Sequence, residues 1–589
     1  MTDDLATNLR RQALEARYPV WVPRTTAQLL DVVAARHPAR PLVFTADRTY
    51  SYADITAWSR RLAAGLIALG VAPGDHVAVD MANLPEAIAL KFAIARVGAV
   101  SVSLNYRLRH EELGYVLRRS DATVLITMDR FREIDYLDSL DRIAPGWETR
   151  AGGASLPRLR NVFVHNGPAA PRRGRALAEL VALGAAVTDD EVAARTAAAD
   201  PDGYSDLLFT SGTTAPAKGV LLRHDAVLRT AYASAYTRAF GDGRRILFAL
   251  PVYHVFGYVE GLLAVLFAGG AVRPQTVFDA AGMLRDVSRY RIDELMCVPS
   301  MTMEVLAAAR DGEHDLSSLR AVFSSGAPHE DGAWEQIRDV LGVDEIFTGY
   351  GQTETSASTT CTRPGDAIDR LRHTNGALKP AGVAGDPALG GVLAVYKTVH
   401  PETGEDLPVG TPGELVARGP IMTSGYYRDP AETQALFTPD GWLRTGDLGR
   451  LDDEGYLMLT GRKKDCYRCG GELVTPGEVE RVLTRHPGVR AAYVVAVPDD
   501  RMGEVGCAWI VPAAGRPRAE DLIGYCASRL ARFKVPAVVL FTEAAEVPTT
   551  ATGRVRKFLL AERAVRVLRN RPGVPGPAGR QTVPATTGG

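Results

Sequence analysis

Cysteine is scarce: six residues in a chain of 589 are too few for a disulfide framework. Neither sign of charge is in excess, with 68 Lys and Arg against 69 Asp and Glu and a formal net charge of −1. No long basic run is present, so the electrostatic footprint of a nucleic-acid partner is missing. The longest apolar run, GLLAVLFAGGAV at 261–272, is too short to span a bilayer. The opening residues, MTDDLATNLRRQ, carry acids early and no apolar stretch, so no secretory signal is expected. These absences point to a cytoplasmic protein with no transmembrane segment, peripheral membrane contact remaining open.

What is present is ordinary globular material, 46% hydrophobic and 23% charged, in a chain too long for one core. From 27 to 130, helical patterns alternate with short apolar segments such as PLVFTA, DHVAVDM and ATVLITM, which predicts parallel strands with crossover helices. Residues 146–176 mix Gly, Pro and Arg around one weak strand and read as a surface excursion. More βα alternation follows to about 350. A Gly/Pro-rich stretch at 374–425, with the strand-like pieces GVLAVYKTV and GELVARG, suggests a small β subdomain. After GRKKD (461–465) a compact αβ pattern starts afresh. The expectation is an α/β protein. A large multi-layer N-terminal body of βαβ units plus β subdomain spans 1–463, a small mobile α+β lid 464–568, and a low-complexity tail 569–589.

The stretch LLFTSGTTAPAKG (207–219) has the makings of a polyphosphate loop. A strand stops at Thr210, hydroxyls follow at Ser211, Thr213 and Thr214, Gly212 lets the backbone approach, and Lys218 brings charge. Alone, it is equally a polar turn. It is accompanied, in order, by PVYHVFG (251–257), SSGAP (324–328), GYGQTE (349–354), RGPIMTSGYY (418–427), GWLRTGDLGRLDDEGYL (441–457), GRKKD (461–465) and PTTATGRVRK (548–557). With these signatures the chain resembles the adenylate-forming superfamily over roughly 25–565, most of all its fatty-acyl and aryl-CoA ligase branch.

That resemblance implies ATP, Mg2+ and coenzyme A, with a carboxylate activated as an acyl-adenylate and passed to the thiol. Nucleotide contacts are implied for Thr210, Ser211, Gly212, Thr213, Thr214 and Lys218, for Gly326, Ala327 and Pro328 beside adenine, and for Tyr350, Gly351, Gln352 and Thr353. Tyr350 would stack on the base and Thr353 would bond the α-phosphate. Glu354 would hold the metal, and Asp447, assisted by Arg462, the ribose. Substrate would meet Tyr253, His254, Phe256, Met301 and Gly349, with the polar His329 and Glu330 nearby or facing solvent. Lys464 would be the hinge, and Gly470 and Gly471 would flank the thiol channel.

Three departures qualify the resemblance. The loop reads Ala215-Pro216-Ala217 where the family has G-x-P. Arg554 stands where a catalytic lysine is expected to bridge carboxylate and α-phosphate; a planar fork replaces a compact charge. Cys466 and Cys469 form a lone C-x-x-C, for which plain packing outranks metal or redox roles, and Leu473 replaces the expected Asn. The leading expectation is an ATP- and Mg2+-dependent, AMP-forming acid–thiol ligase. One rival is a secondary-metabolism variant that activates nitrite to diazotise an aromatic amine, and another is an inactive nucleotide-binding protein.

Overall fold

The apolar runs PLVF, HVAVD, VSVS and VLITM are strands, each flanked by turn residues and almost wholly buried. The computed structural model describes residues 2–210, 217–330, 332–513, 515–550 and 555–569. The architecture is α/β, with a large N-terminal body and a small C-terminal unit. The chain divides into two compact units, one of 1–397, 416–445 and 451–458, the other of 398–415, 446–450 and everything from 459 onward. Arg554 and residues 211–216 lie outside the described residues, and so does the expected tail from 570.

The large unit holds two seven-stranded sheets. In one, the strands Glu345–Phe347, Ala321–Ser324, Glu294–Cys297, Arg245–Phe248, Ala271–Pro274 and Pro41–Phe44 lie side by side and parallel, with Thr49–Ser51 antiparallel at the edge. In the other, Tyr204–Thr210, Val100–Ser103, His76–Asp80, Val124–Met128, Asn161–His165 and Arg175–Ala176 are parallel. Lys218–Arg223 turns back antiparallel on Tyr204–Thr210. One core joins residues of both sheets, Val43 and Val272 with Leu208 and Val220, to the helices His224–Thr237 and Phe256–Leu263. The apolar run 261–272 is part of this core, and among the described residues no helix is long and apolar enough to cross a membrane.

The segment 146–176 departs from the surface excursion expected of it. Asn161–His165 is an integral parallel strand beside Val124–Met128. Val162, Phe163 and Val164 are buried, and so is Trp147. An apolar triplet outweighs the Gly and Arg around it, because burying those side chains is worth roughly 1.5–3 kcal/mol each.

The small unit pairs Val489–Asp499 with Gly503–Pro512 in a long antiparallel ribbon. Tyr467–Cys469 and Val538–Phe541 also pair with Gly503–Pro512, Glu472–Val474 pairs with Tyr467–Cys469, and the helices Pro476–Thr484 and Ala519–Ala527 join the same core.

Candidate functional site

Parallel strands send their loops out at their carboxyl ends, where α/β sheets gather ligands. Four adjacent strands of the first sheet do this with the candidate residues. PVYH follows Arg245–Phe248, the helix carrying Met301 follows Glu294–Cys297, SSGAP runs on from Ala321–Ser324, and GYGQTE follows Glu345–Phe347. The fold therefore assembles His254, Met301, Gly326–Pro328 and Gly349–Glu354 along one edge.

GYGQTE forms a tight hairpin, Gly349–Gln352 against Ala357–Cys361. Its glycines are obligatory, since a Cβ on Gly349 would sit 2.4 Å from the Thr360 carbonyl oxygen and one on Gly351 2.0 Å from that of Ala357. The SSGAP loop is pinned to it by the Ser325 hydroxyl, which donates to the Gly349 carbonyl at 2.6 Å, and Gly326 occupies φ 102°. Tyr350 is 7% exposed, with its ring 6.2 Å from that of Tyr396. Thr353 begins a single 3-10 turn, Thr353–Thr355. Beyond Glu354 the backbone is strained: Ser356 (φ 60°) and Ala357 (φ 122°) are successive non-glycine residues at positive φ, each costing about 1–3 kcal/mol.

A strap holds this turn. Thr423 donates its backbone N–H to the Glu354 carbonyl at 2.8 Å, and Ser356 donates its hydroxyl to the Ile421 carbonyl at 2.7 Å. The Tyr426 hydroxyl donates to the Glu354 carboxylate at 3.0 Å. On its other side the strap follows Lys218–Arg223, with Tyr427 N–H on Gly219 O at 2.7 Å and Thr423 Oγ1 on Leu221 O at 2.7 Å. Thr210 and Lys218 are register partners in the antiparallel pair Tyr204–Thr210 and Lys218–Arg223. The Lys218 ammonium pairs with Glu432 and lies 4.9 Å from the centre of the Tyr426 ring. Tyr426 and Thr423 both stand in the 418–427 motif, but nothing local in the sequence marks them as partners of the Glu354 turn.

The expected pocket walls face different ways. Phe256 packs edge-on to Phe323 at 5.1 Å and shares a core with Met301. Tyr253 instead packs against Tyr106 at 5.7 Å, in the core of the other sheet. The His254 Nδ1 accepts from the Phe256 N–H at 3.2 Å, which assigns the proton of the neutral ring to Nε2. Burial lowers His254 to about 4, so the ring is neutral throughout the physiological range. His329 packs on Trp334 with ring centres 3.8 Å apart and bonds the Ser324 hydroxyl at 2.7 Å; burial lowers it to about 3. It braces the SSGAP loop, while Glu330 is exposed.

In the small unit, Asp447 is buried and pairs with Arg462 at 2.8 Å. Gly470 and Gly471, at φ 60° and 89°, form the two-residue turn between Tyr467–Cys469 and Glu472–Val474. That turn requires positive φ at both places, a backbone reason for the pair independent of any thiol. Cys466 and Cys469 are pushed up by burial, opposite to the depressed thiol of a metal or redox site. Lys557 pairs with Glu480 at 2.7 Å.

An α/β body with its candidate residues gathered at the carboxyl ends of parallel strands, followed by a small C-terminal unit, defines a class, and sequence comparison defines the family. Residues 30–427 match the AMP-binding enzyme family and 478–554 the AMP-binding enzyme C-terminal domain. The chain belongs to the AMP-binding enzymes. A 3-[(3aS,4S,7aS)-7a-methyl-1,5-dioxo-octahydro-1H-inden-4-yl]propanoyl:CoA ligase of Mycobacterium tuberculosis is 35% identical over 92% of this chain and 99% of its own. The mitochondrial medium-chain acyl-CoA ligase ACSF2 of Danio rerio is 31% identical over 92% and 89%. Among solved structures, ATP-bound MatB of Rhodopseudomonas palustris superposes with a TM-score of 0.77 at 27% identity, covering 91% of this chain and 98% of that one. None of these relatives is named for nitrite or an amine, and the diazotisation reading has no support from them.

The two depressed histidines predict a pH dependence of stability. An unfolded histidine takes up a proton near pH 6.5, whereas the folded rings at about 4 and about 3 refuse it. Their contribution is therefore complete above pH 6.5 and is lost as pH falls toward 4, by about 1.4 kcal/mol per pH unit for each ring. In thermal unfolding, His329→Gln shows a shallower loss of Tm between pH 7 and 5 than the parent; equal slopes would contradict the assignment.

Proposed function

We propose that this chain is an ATP-dependent, AMP-forming acid–thiol ligase whose acceptor is coenzyme A. The observation that carries the reading is the joint placement of Thr353 and Glu354 on a strained turn strapped, through Thr423 and Tyr426, to the strand that begins at Lys218. The Thr353 hydroxyl, the Lys218 ammonium and the Glu354 carboxylate are groups suited to a phosphate and its cation, and this supports the reading. The relatives' names, each an acyl-CoA ligase, support the thioester product.

In the first step a carboxylate oxygen attacks the α-phosphorus of ATP and pyrophosphate departs. In the second, the thiol sulfur attacks the acyl carbon, the thiol gives up its proton, and AMP departs with the original carboxylate oxygen. Thr353 hydrogen-bonds the α-phosphate, Tyr350 supports adenine, and Lys218 leaves Glu432 to meet the outer phosphates. Asp447, paired with Arg462, accepts from the ribose hydroxyls. Neutral His254 donates from Nε2 toward the acid.

Mg2+ fits the donor set. A single carboxylate, Glu354, fixed by the Tyr426 hydroxyl, suits an ion that takes one or two carboxylates plus substrate phosphates and keeps its waters. When bound, the ion neutralises phosphate charge. Among the described residues no group of three or more His, Cys, Asp or Glu offers an all-protein cage. Arg554 supplies positive charge between carboxylate and phosphate, and Lys464 is the hinge before the lid.

Incubation with ATP, Mg2+, coenzyme A and a panel of aliphatic and aryl acids yields AMP and an acyl-CoA mass for the cognate acid. ADP formation, or AMP without thioester, would contradict the reading. Arg554→Lys raises carboxylate-dependent AMP formation, because a compact ammonium suits a bridge between two oxyanions; loss of turnover would show the arginine to be fitted to its acid.

A further inference from the structure

Within the apolar helix Phe256–Leu263 there is one acid, Glu260, which is 1% exposed. Its carboxylate accepts from the Ser358 N–H at 3.0 Å, the Ser358 hydroxyl at 2.5 Å, the Ser234 hydroxyl, and the Lys379 ammonium at 2.9 and 3.2 Å. Arg238 stands at 3.7 Å. Ser358 belongs to the motif hairpin, where it is the register partner of Gly351. It immediately follows Ser356 and Ala357, the two residues at positive φ. A turn in so sparsely populated a conformation persists only when its surroundings over-determine it. Ile421 and Thr423 hold it from one side, and Glu260 holds its far end.

We propose that Glu260 is a positioning residue for the nucleotide and its cation. By fixing Ser358 it keeps the Ser356–Ala357 turn in its strained form, and that form aims Thr353 and Glu354 at the α-phosphate and Mg2+. The inference rests on the reading of Thr353 and Glu354 given above. Glu260 itself touches no substrate, because its oxygens are filled by serine and lysine donors. Glu294 is an internal comparison. It is equally buried and pairs with Arg238 and Arg244, yet bonds no residue of the motif hairpin. A purely structural role for buried charge would make the two acids alike. A positioning role makes them differ in how ATP binding responds to the metal.

The test is calorimetric titration of ATP into the full chain across a series of Mg2+ concentrations, with Tm measured alongside. Glu260→Gln reduces the Mg2+-dependent gain in ATP affinity by about tenfold, and Glu294→Gln lowers Tm while leaving that gain within about twofold. Ser358→Ala leaves the Glu260–Lys379 pair intact and removes one hydroxyl, so it folds and shows a shift of the same sign, about threefold. Equal Mg2+ responses for Glu260→Gln and Glu294→Gln, or no shift in Ser358→Ala, would overturn the proposal. Glu354→Gln separates the two layers. If it also leaves the Mg2+ response unchanged, the assignment of Glu354 to the metal has failed and the inference falls with it. If it abolishes the response while the Glu260 and Ser358 variants do not alter it, only the positioning role is refuted.

Discussion

Glu260 and Lys379 bring opposite charges together where almost no solvent reaches, and Ser234, Ser358 and Arg238 complete their hydrogen bonding and charge balance. From Lys379 the alternation continues through Glu260, Arg238, Glu294 and Arg244 to Glu345, and ends at Arg10 in the N-terminal helix. Burial pushes Glu260 up, but Lys379 and Arg238, helped by the Ser234 and Ser358 hydroxyls, more than offset this and keep it ionised. Breaking such a network by removing one partner costs about 3–5 kcal/mol, because an uncompensated ion is left behind. The elements it ties together are the helix after His254, the motif hairpin through Ser358, and the strands Glu294–Cys297 and Glu345–Phe347.

Around that network the site is held from two directions. Fixed charge grips the hairpin from within the core, and the 418–427 strap grips the Thr353–Glu354 turn by backbone and hydroxyl bonds. Two successive non-glycine residues at positive φ are stable only under such double restraint. The same economy governs the glycines of GYG, where neighbouring carbonyl oxygens leave no room for a Cβ. In the proposed function, Thr353 and Glu354 meet phosphate and its cation, and rigid placement is what electrostatic catalysis there requires.

The fold class and the family were legible in the sequence because the signature motifs occupy loops whose backbone geometry dictates small or hydroxylated residues. The parallel strands were legible from short apolar runs such as PLVF and VLITM alternating with helical patterns, though not their order in the sheets. What was not legible is long-range. Glu260 stands alone in HVFGYVEGLL, and nothing local marks it as the partner of Lys379, over a hundred residues away. The strand in 146–176 was legible only as a weak one on the surface, because the flanking Gly and Arg say nothing of the burial of Val162, Phe163 and Val164 between them. Tyr253 and His254 are adjacent in sequence, yet Tyr253 packs into the core of the other sheet, because neighbouring side chains leave the backbone in different directions. For Gly470 and Gly471 the resemblance suggested a thiol channel, while the turn itself already demands glycine.

The chain activates a carboxylate by transferring AMP from ATP, a half-reaction that needs no thiol. The most direct measurement is exchange of labelled pyrophosphate into ATP with Mg2+ and each acid of the panel, in the absence of coenzyme A. The expected result is exchange that depends on the cognate acid and disappears in Glu354→Gln. Acid-dependent turnover without any pyrophosphate exchange, releasing ADP and phosphate, would contradict it.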